Sequence, residues 1–92
     1  MIYVDNMRPV MRNRNWPYNH ACHLVADSEL ELHTFARRLS LKRSWFQSNT
    51  LPHYDLTPNK RMQALRLGAI EITDKRLVEM IRKHRQEKPN DK

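Results

Sequence analysis

Three β-prone runs of this chain end in an aspartate: Tyr3-Val4-Asp5, Val25-Ala26-Asp27 and His53-Tyr54-Asp55. In open α/β sheets, ligands bind beyond the carboxyl ends of the strands. If the three strands are parallel neighbours, Asp5, Asp27 and Asp55 meet at one edge. Carboxylates so grouped can hold Mg²⁺ or Mn²⁺, which prefer oxygen ligands, and such an ion can activate water against a phosphodiester. The plainer alternative is structural: Asp27 helps to cap a helix, and Asp55 belongs to the turn before Thr57-Pro58.

The histidines form a second set. His23 and His33 flank the first strand-to-helix turn, and His53 precedes Tyr54-Asp55. In a strand, His23 and Asp27 share a face. A histidine beside a carboxylate can act as general acid or base near neutrality. His23, His33, His53 and Asp55 are therefore the candidate catalytic group. Asp5, Tyr54, Arg37, Lys60, Arg61 and Trp45 are the candidate ligand contacts. Trp45-Phe46-Gln47 follows Lys42 and Arg43, and aromatics interleaved with cations can stack a base and hold its phosphate. Here too there is a plainer account, in which the histidines cap or pack and the aromatics plug the core. His20-x-x-His23 has zinc-like spacing, but at a strand start the two side chains diverge.

Several chemistries are excluded. Gly68 is the one glycine, so neither a P-loop nor a dinucleotide-binding loop is present. Any phosphate must be held by side chains or helix N-termini. Cys22 is the one cysteine, which rules out an internal disulfide and a Cys-rich zinc site. Its predicted strand turns it toward the core, where a thiol is inert. No serine sits in a nucleophile-elbow pattern.

The elements that must position these residues follow from local pattern. Ile2–Asp5 reads as a short strand. Asn6–Asn19, with three arginines and two prolines, reads as a loop ordered by Trp16 and Tyr18. Cys22–Ala26 is a second strand. Ser28 and Glu31 form a capping box, and Leu32, Phe35, Ala36 and Leu39 then recur at helical spacing. His53-Tyr54-Asp55 is a third strand. Thr57-Pro58 starts a helix that Gly68 stops. Ala69–Ile72 alternates as a strand, and a last helix from Asp74 carries Leu77, Met80, Ile81 and His84 on one face. The expected fold is a single small α/β domain over residues 1–85. Three helices pack on a short, partly parallel sheet of three to four strands, and a polar tail covers 86–92.

A net charge of +7 on 92 residues favours polyanions, so nucleotides or nucleic acid are the expected partners. Arg82, Lys83, Arg85 and Lys88 read as a solvated helix face. A domain this short buries about 60–65% of its unfolded surface, which leaves room for a partner such as a second copy to complete its core. No apolar run approaches the ~18 residues of a membrane span, and no secretory leader opens the chain. A cytoplasmic location and no membrane partner are expected.

Cys22-His23-Leu24-Val25-Ala26-Asp27, Glu31-Leu32-His33 with Phe35-Ala36, His53-Tyr54-Asp55-Leu56, Lys60-Arg61 and Gly68-Ala69 together resemble the domain of unknown function 4031 family. Tyr3-Val4-Asp5 and Trp45-Phe46-Gln47 fit the same pattern, so the resemblance covers residue 2 to about residue 73. It points to His23, Asp27, His33, His53, Tyr54 and Asp55, and it assigns no activity. Members occur in bacteria and their phages, and for a phage-encoded chain the location would be host cytoplasm. By analogy alone, that context suggests a protein that counters host defence by binding or degrading a cyclic nucleotide. The expectation is thus a chain that binds, and in one version hydrolyses, a phosphate-bearing ligand. The competing expectation is a basic module that grips DNA, RNA or a protein without turnover.

Overall fold

Ser28 and Thr57 start the two helices that cover one face of the sheet. In the computed structural model, which describes residues 1–87, the Ser28 hydroxyl accepts from the Glu31 backbone N–H and opens α1 (Glu29–Arg38). The Thr57 hydroxyl likewise accepts from the Lys60 N–H, and Pro58 is the first residue of α2 (Pro58–Arg66). Gly68, at φ 103°, ends α2 in the left-handed conformation that only glycine adopts without strain.

The sheet is mixed. β1 (Ile2–Val4) and β4 (Tyr54–Leu56) both pair antiparallel with β3 (His20–Ala26), on its two sides. β2 (Arg8–Pro9) also pairs antiparallel with β3, further along the β1 side, and β5 (Ile70–Glu71) pairs parallel with β1. The small α/β domain is as expected, with three helices among the described residues. The sheet has five strands rather than three or four, because the two-residue β2 forms within the stretch read as a loop, while β5 falls inside the expected Ala69–Ile72 run.

The stretch Asn6–Asn19 is mostly the expected loop, with the Trp16 and Tyr18 rings edge to face at 5.2 Å, but it also contains the short strand β2. The Asp5 N–H donates to the His23 carbonyl, which carries the β1 register one step further. Arg8 then stands opposite Ala21, so Asn6 and Met7 together face Cys22 alone. That is a one-residue bulge, a device that bends a strand and re-aims its side chains. Beyond it the chain continues as a hairpin arm. Val10 donates to Asn19, Asn13 and Trp16 exchange backbone bonds, and the Asn13 side chain accepts from the N–H groups of Asn15 and Trp16.

Alternation along β3 divides the core in two. Cys22 and Leu24 face α1 and α2, in a cluster with Val4, Leu32, Phe35, Leu39, Tyr54 and Leu56. Val25 faces the other way, where Leu77, Met80 and Ile81 of α3 (Asp74–Glu87) cover it with Tyr3, Leu51 and Ile72. α3 runs two residues past the expected domain end at 85. The rest of the expected tail, Lys88 included, lies outside the described residues. No described helix is long and apolar enough to cross a membrane.

Strand direction corrects the expected carboxylate cluster. β3 runs opposite to β1 and β4, so its carboxyl end lies at the far end of the sheet. Asp27 is there, accepting from the Tyr3 hydroxyl at 3.1 Å. Asp5 and Asp55 instead flank His23, and the three aspartates do not converge.

Candidate functional site

The site is a row across three strands. His23 is the register partner of Asp55 on one side, and on the other side it faces Asp5. All three side chains project on the face that α3 covers only in part. Asp5 is 0% exposed, the one buried charged residue among those described. Its Oδ1 accepts from the His23 backbone N–H at 2.6 Å, and its Oδ2 from His23 Nδ1 at 2.7 Å. The Asp5 backbone carbonyl, displaced from that role, accepts from Arg61 Nε at 2.9 Å. Arg8, carried by β2, adds a longer contact to Asp5 Oδ2 at 3.3 Å and one to Asp74 at 2.9 Å.

This arrangement sets the charges. Burial alone would push the Asp5 carboxyl up, but the hydrogen bonds from the His23 ring and backbone outweigh it and hold Asp5 below the usual carboxylate range. The same bond to Asp5 raises His23 above the ordinary imidazole value, against the opposing effect of burial. An ionised Asp5 accepts only, so His23 Nδ1 carries the proton and Nε2 is the ring nitrogen left over.

His53 meets this row from the hairpin that returns through Ser48–Pro52. The His53 and Gln47 backbones pair across it at 2.9 Å in both directions. The His53 and His23 rings stand edge to face, with centroids 5.0 Å apart. His53 Nδ1 donates to the Leu51 carbonyl at 2.7 Å, and His53 Nε2 lies 3.6 Å from Asp55 Oδ1. The Gln47 side-chain amide donates to Asp55 Oδ2 at 2.6 Å. One donor atom each of His23, His53 and Asp55 falls within 4.8 Å of the others.

Two hollows adjoin the row. A small one of about 240 Å³ lies under the hairpin arm, between Arg8, Asn13, Trp16, His23 and Asp55. A larger cleft of about 780 Å³ opens at the sheet edge between the arm, the single 3₁₀ turn at Arg43–Trp45, and the start of α2. Its walls include Trp16, Tyr18, Trp45, Phe46, Gln47 and Lys60, and it shares Asp55 with the smaller hollow. Trp45 is 49% exposed with the Lys42 ammonium over its ring, and Arg43 stacks on Phe46.

The expected site residues thus divide. His23, His53, Asp55 and Asp5 come together, Arg61 supports Asp5 from behind, and Lys60 and Trp45 line the cleft. Lys60 also donates to the Leu39 carbonyl. His33 does not join His23, because it belongs to the helix-covered face. There its Nδ1 lies 2.9 Å from the Tyr54 hydroxyl, its Nε2 donates to Glu29, and its ring packs on Phe46. Tyr54 is a core residue whose burial raises its hydroxyl pKa. Arg37 is exposed on α1, away from the row. Cys22 is fully buried, and burial pushes its thiol up to about 12.

The residues that sequence reasoning did not assign are Arg8, Asn13, Trp16 and Gln47. For the arm, the paired asparagines Asn13 and Asn15 were a readable turn signal. Gln47 reaches Asp55 through a strand pairing that no local pattern announces.

The chain belongs to the family described as protein of unknown function (DUF4031), whose model matches residues 2–84. That match takes in most of α3 as well as the segment carrying the row. A search of the curated proteins and a search of the solved structures each found no match.

Proposed function

We propose that this protein binds a nucleotide or a short single-stranded nucleic acid in the aromatic cleft and hydrolyses a phosphoester bond at the His23–His53–Asp55 corner. The observation that carries this reading is the place of Asp55, which belongs both to the histidine cluster and to the wall of the cleft. A ligand whose base lies between Trp16 and Trp45 would bring its phosphate to the polar corner. Aromatic walls suit any base, since each base offers a flat face, and stacking contributes about 1–3 kcal/mol per base. Lys42, Arg43 and Lys60 at the rim and wall supply positive charge for the phosphate, in keeping with the net charge of +7.

The same corner supports turnover as well as binding. A water held among two imidazoles and a carboxylate is near groups that can take up its proton. His23 is held in one orientation by the buried Asp5, so its free nitrogen is positioned before a ligand arrives.

The test is hydrolysis of bis(p-nitrophenyl) phosphate, cyclic nucleotides and short RNA and DNA, comparing wild type with His53→Ala and Asp55→Asn. Turnover lost in both variants, with folding retained, is expected. Saturable binding of these ligands with no turnover in the wild type would reduce the protein to a binding module. Neither binding nor turnover across the panel would overturn the reading.

A further inference from the structure

We infer that His23, His53 and Asp55 form a three-ligand site for a divalent transition-metal ion, zinc in the first place. Each of the three side chains has one donor atom engaged by the protein and one left over. Asp5 takes His23 Nδ1 at 2.7 Å, the Leu51 carbonyl takes His53 Nδ1 at 2.7 Å, and the Gln47 amide takes Asp55 Oδ2 at 2.6 Å. What remains is His23 Nε2, His53 Nε2 and Asp55 Oδ1. Metal-binding histidines almost always donate their other N–H to a carboxylate or a backbone carbonyl, and ligating carboxylates are themselves hydrogen-bonded. All three supports are present here, and one donor atom from each side chain already lies within 4.8 Å of the other two.

The donor set selects the ion. Two imidazole nitrogens and one carboxylate oxygen suit zinc and its first-row neighbours, whereas Mg²⁺ and Ca²⁺ take oxygen ligands. Three protein ligands leave a coordination position for water, the pattern of catalytic rather than structural zinc. Arg8, which lines the small hollow with His23 and Asp55, has its charge paired with Asp5 and Asp74. Asp5 is not a ligand in this scheme, because both its oxygens are committed to His23. This replaces the all-carboxylate site expected from the strand ends, and it draws the histidines and Asp55 into one structure.

The role of such an ion rests on the hydrolytic reading above: with the three side chains as ligands, zinc would supply a water ionising near pH 7 at the polar corner, in place of proton uptake by the side chains themselves. Binding of the ion does not depend on that reading, so it is tested without any phosphoester. Chelator-stripped protein is titrated with zinc alone against a chromogenic competitor, and with Co²⁺ to follow its visible absorption. One ion per chain is expected, with Co²⁺ bands of low-symmetry four- or five-coordination. His53→Ala and Asp55→Asn lie at the sheet edge rather than in mid-sheet, and each should weaken zinc at least tenfold while circular dichroism stays unchanged. In the wild type, zinc should shift the Nε2 resonances of His23 and His53 and leave Nδ1 protonated. Binding that is unsaturable, or that both variants leave intact, overturns the site. Stoichiometric zinc in a protein that hydrolyses nothing supports the site and counts only against the hydrolytic reading.

Discussion

The Asp5 carboxylate accepts two hydrogen bonds from a single residue, one from the His23 backbone and one from its ring. A backbone ladder bond has been exchanged for one that holds an imidazole. The exchange is possible because Arg61 satisfies the Asp5 carbonyl from the α2 side, and because the bulge at Asn6–Met7 lets the chain leave the ladder there.

Replacing Asp5 by Asn tests this pairing. Two donors face the two carboxylate oxygens, and an amide offers only one acceptor, so His23 must move its proton to Nε2 or lose a bond. The expected outcome is a tautomer switch visible in the ¹⁵N spectrum of the His23 ring. A stability loss of about 1–3 kcal/mol should accompany it, the cost of an imperfectly satisfied buried group. Zinc affinity should fall by about 10–100-fold, as for other outer-shell changes.

The pair also predicts a pH profile for the metal-free protein. His23 is raised above its usual 6.5, so its contribution is complete below that value and is lost as pH rises through its folded pKa. Asp5 is lowered from its usual 3.8, so its contribution is complete above that value and is lost as pH falls through its folded pKa. Urea unfolding of wild type and Asp5→Asn in chelator should differ most between these two values. The difference should shrink on both sides, and a flat difference from pH 3 to pH 9 would contradict the pairing.

Cys22 should be silent toward thiol reagents. Its side chain is fully buried and its pKa is about 12, so almost no thiolate exists at neutral pH. Labelling by a maleimide should therefore follow the unfolding transition in urea and not precede it.

Two positive-φ positions should respond in opposite ways. Gly68 has open space where a Cβ would go, so Gly68→Ala is costly through backbone strain alone, by about 1 kcal/mol. Thr50, at φ 62°, is a β-branched residue in that same region. Thr50→Gly should relax its strain and raise stability by up to about 1 kcal/mol. Denaturant midpoints of the two variants check both signs.

Trp45→Ala separates binding from folding. The ring is half exposed in a short 3₁₀ turn, so its loss should change stability by less than about 0.5 kcal/mol. Nucleotide affinity should fall by about tenfold or more, from the lost stacking. Isothermal titration beside a thermal melt distinguishes the two effects.

What could be read from the residues is what depends on near neighbours in the chain. Ser28 with Glu31, Thr57 with Pro58, and Gly68 each set a helix boundary within about one turn, and all three boundaries stand where expected. The apolar spacing of Leu32, Phe35, Ala36 and Leu39 likewise identified the buried side of α1. The short arm was harder, since β2 is two residues long and its partners are twelve residues or so further on.

The candidate site shows where such reading stops. His23, His53, Asp5 and Asp55 were all identified by type, but so were His33 and Asp27, which stand elsewhere. Strand direction and register separated them. Antiparallel pairing sent Asp27 to the far end of the sheet, and two-residue alternation put Tyr54, with His33 against it, on the opposite face from Asp55. A residue type and its local propensity are properties of the chain by itself. Direction and register are chosen by burying Val4, Leu24 and Tyr54 together across strands far apart in sequence, and a one-residue slip would turn every side chain to the other face. The sequence thus determined which groups were available for chemistry, and only tertiary packing decided which of them meet.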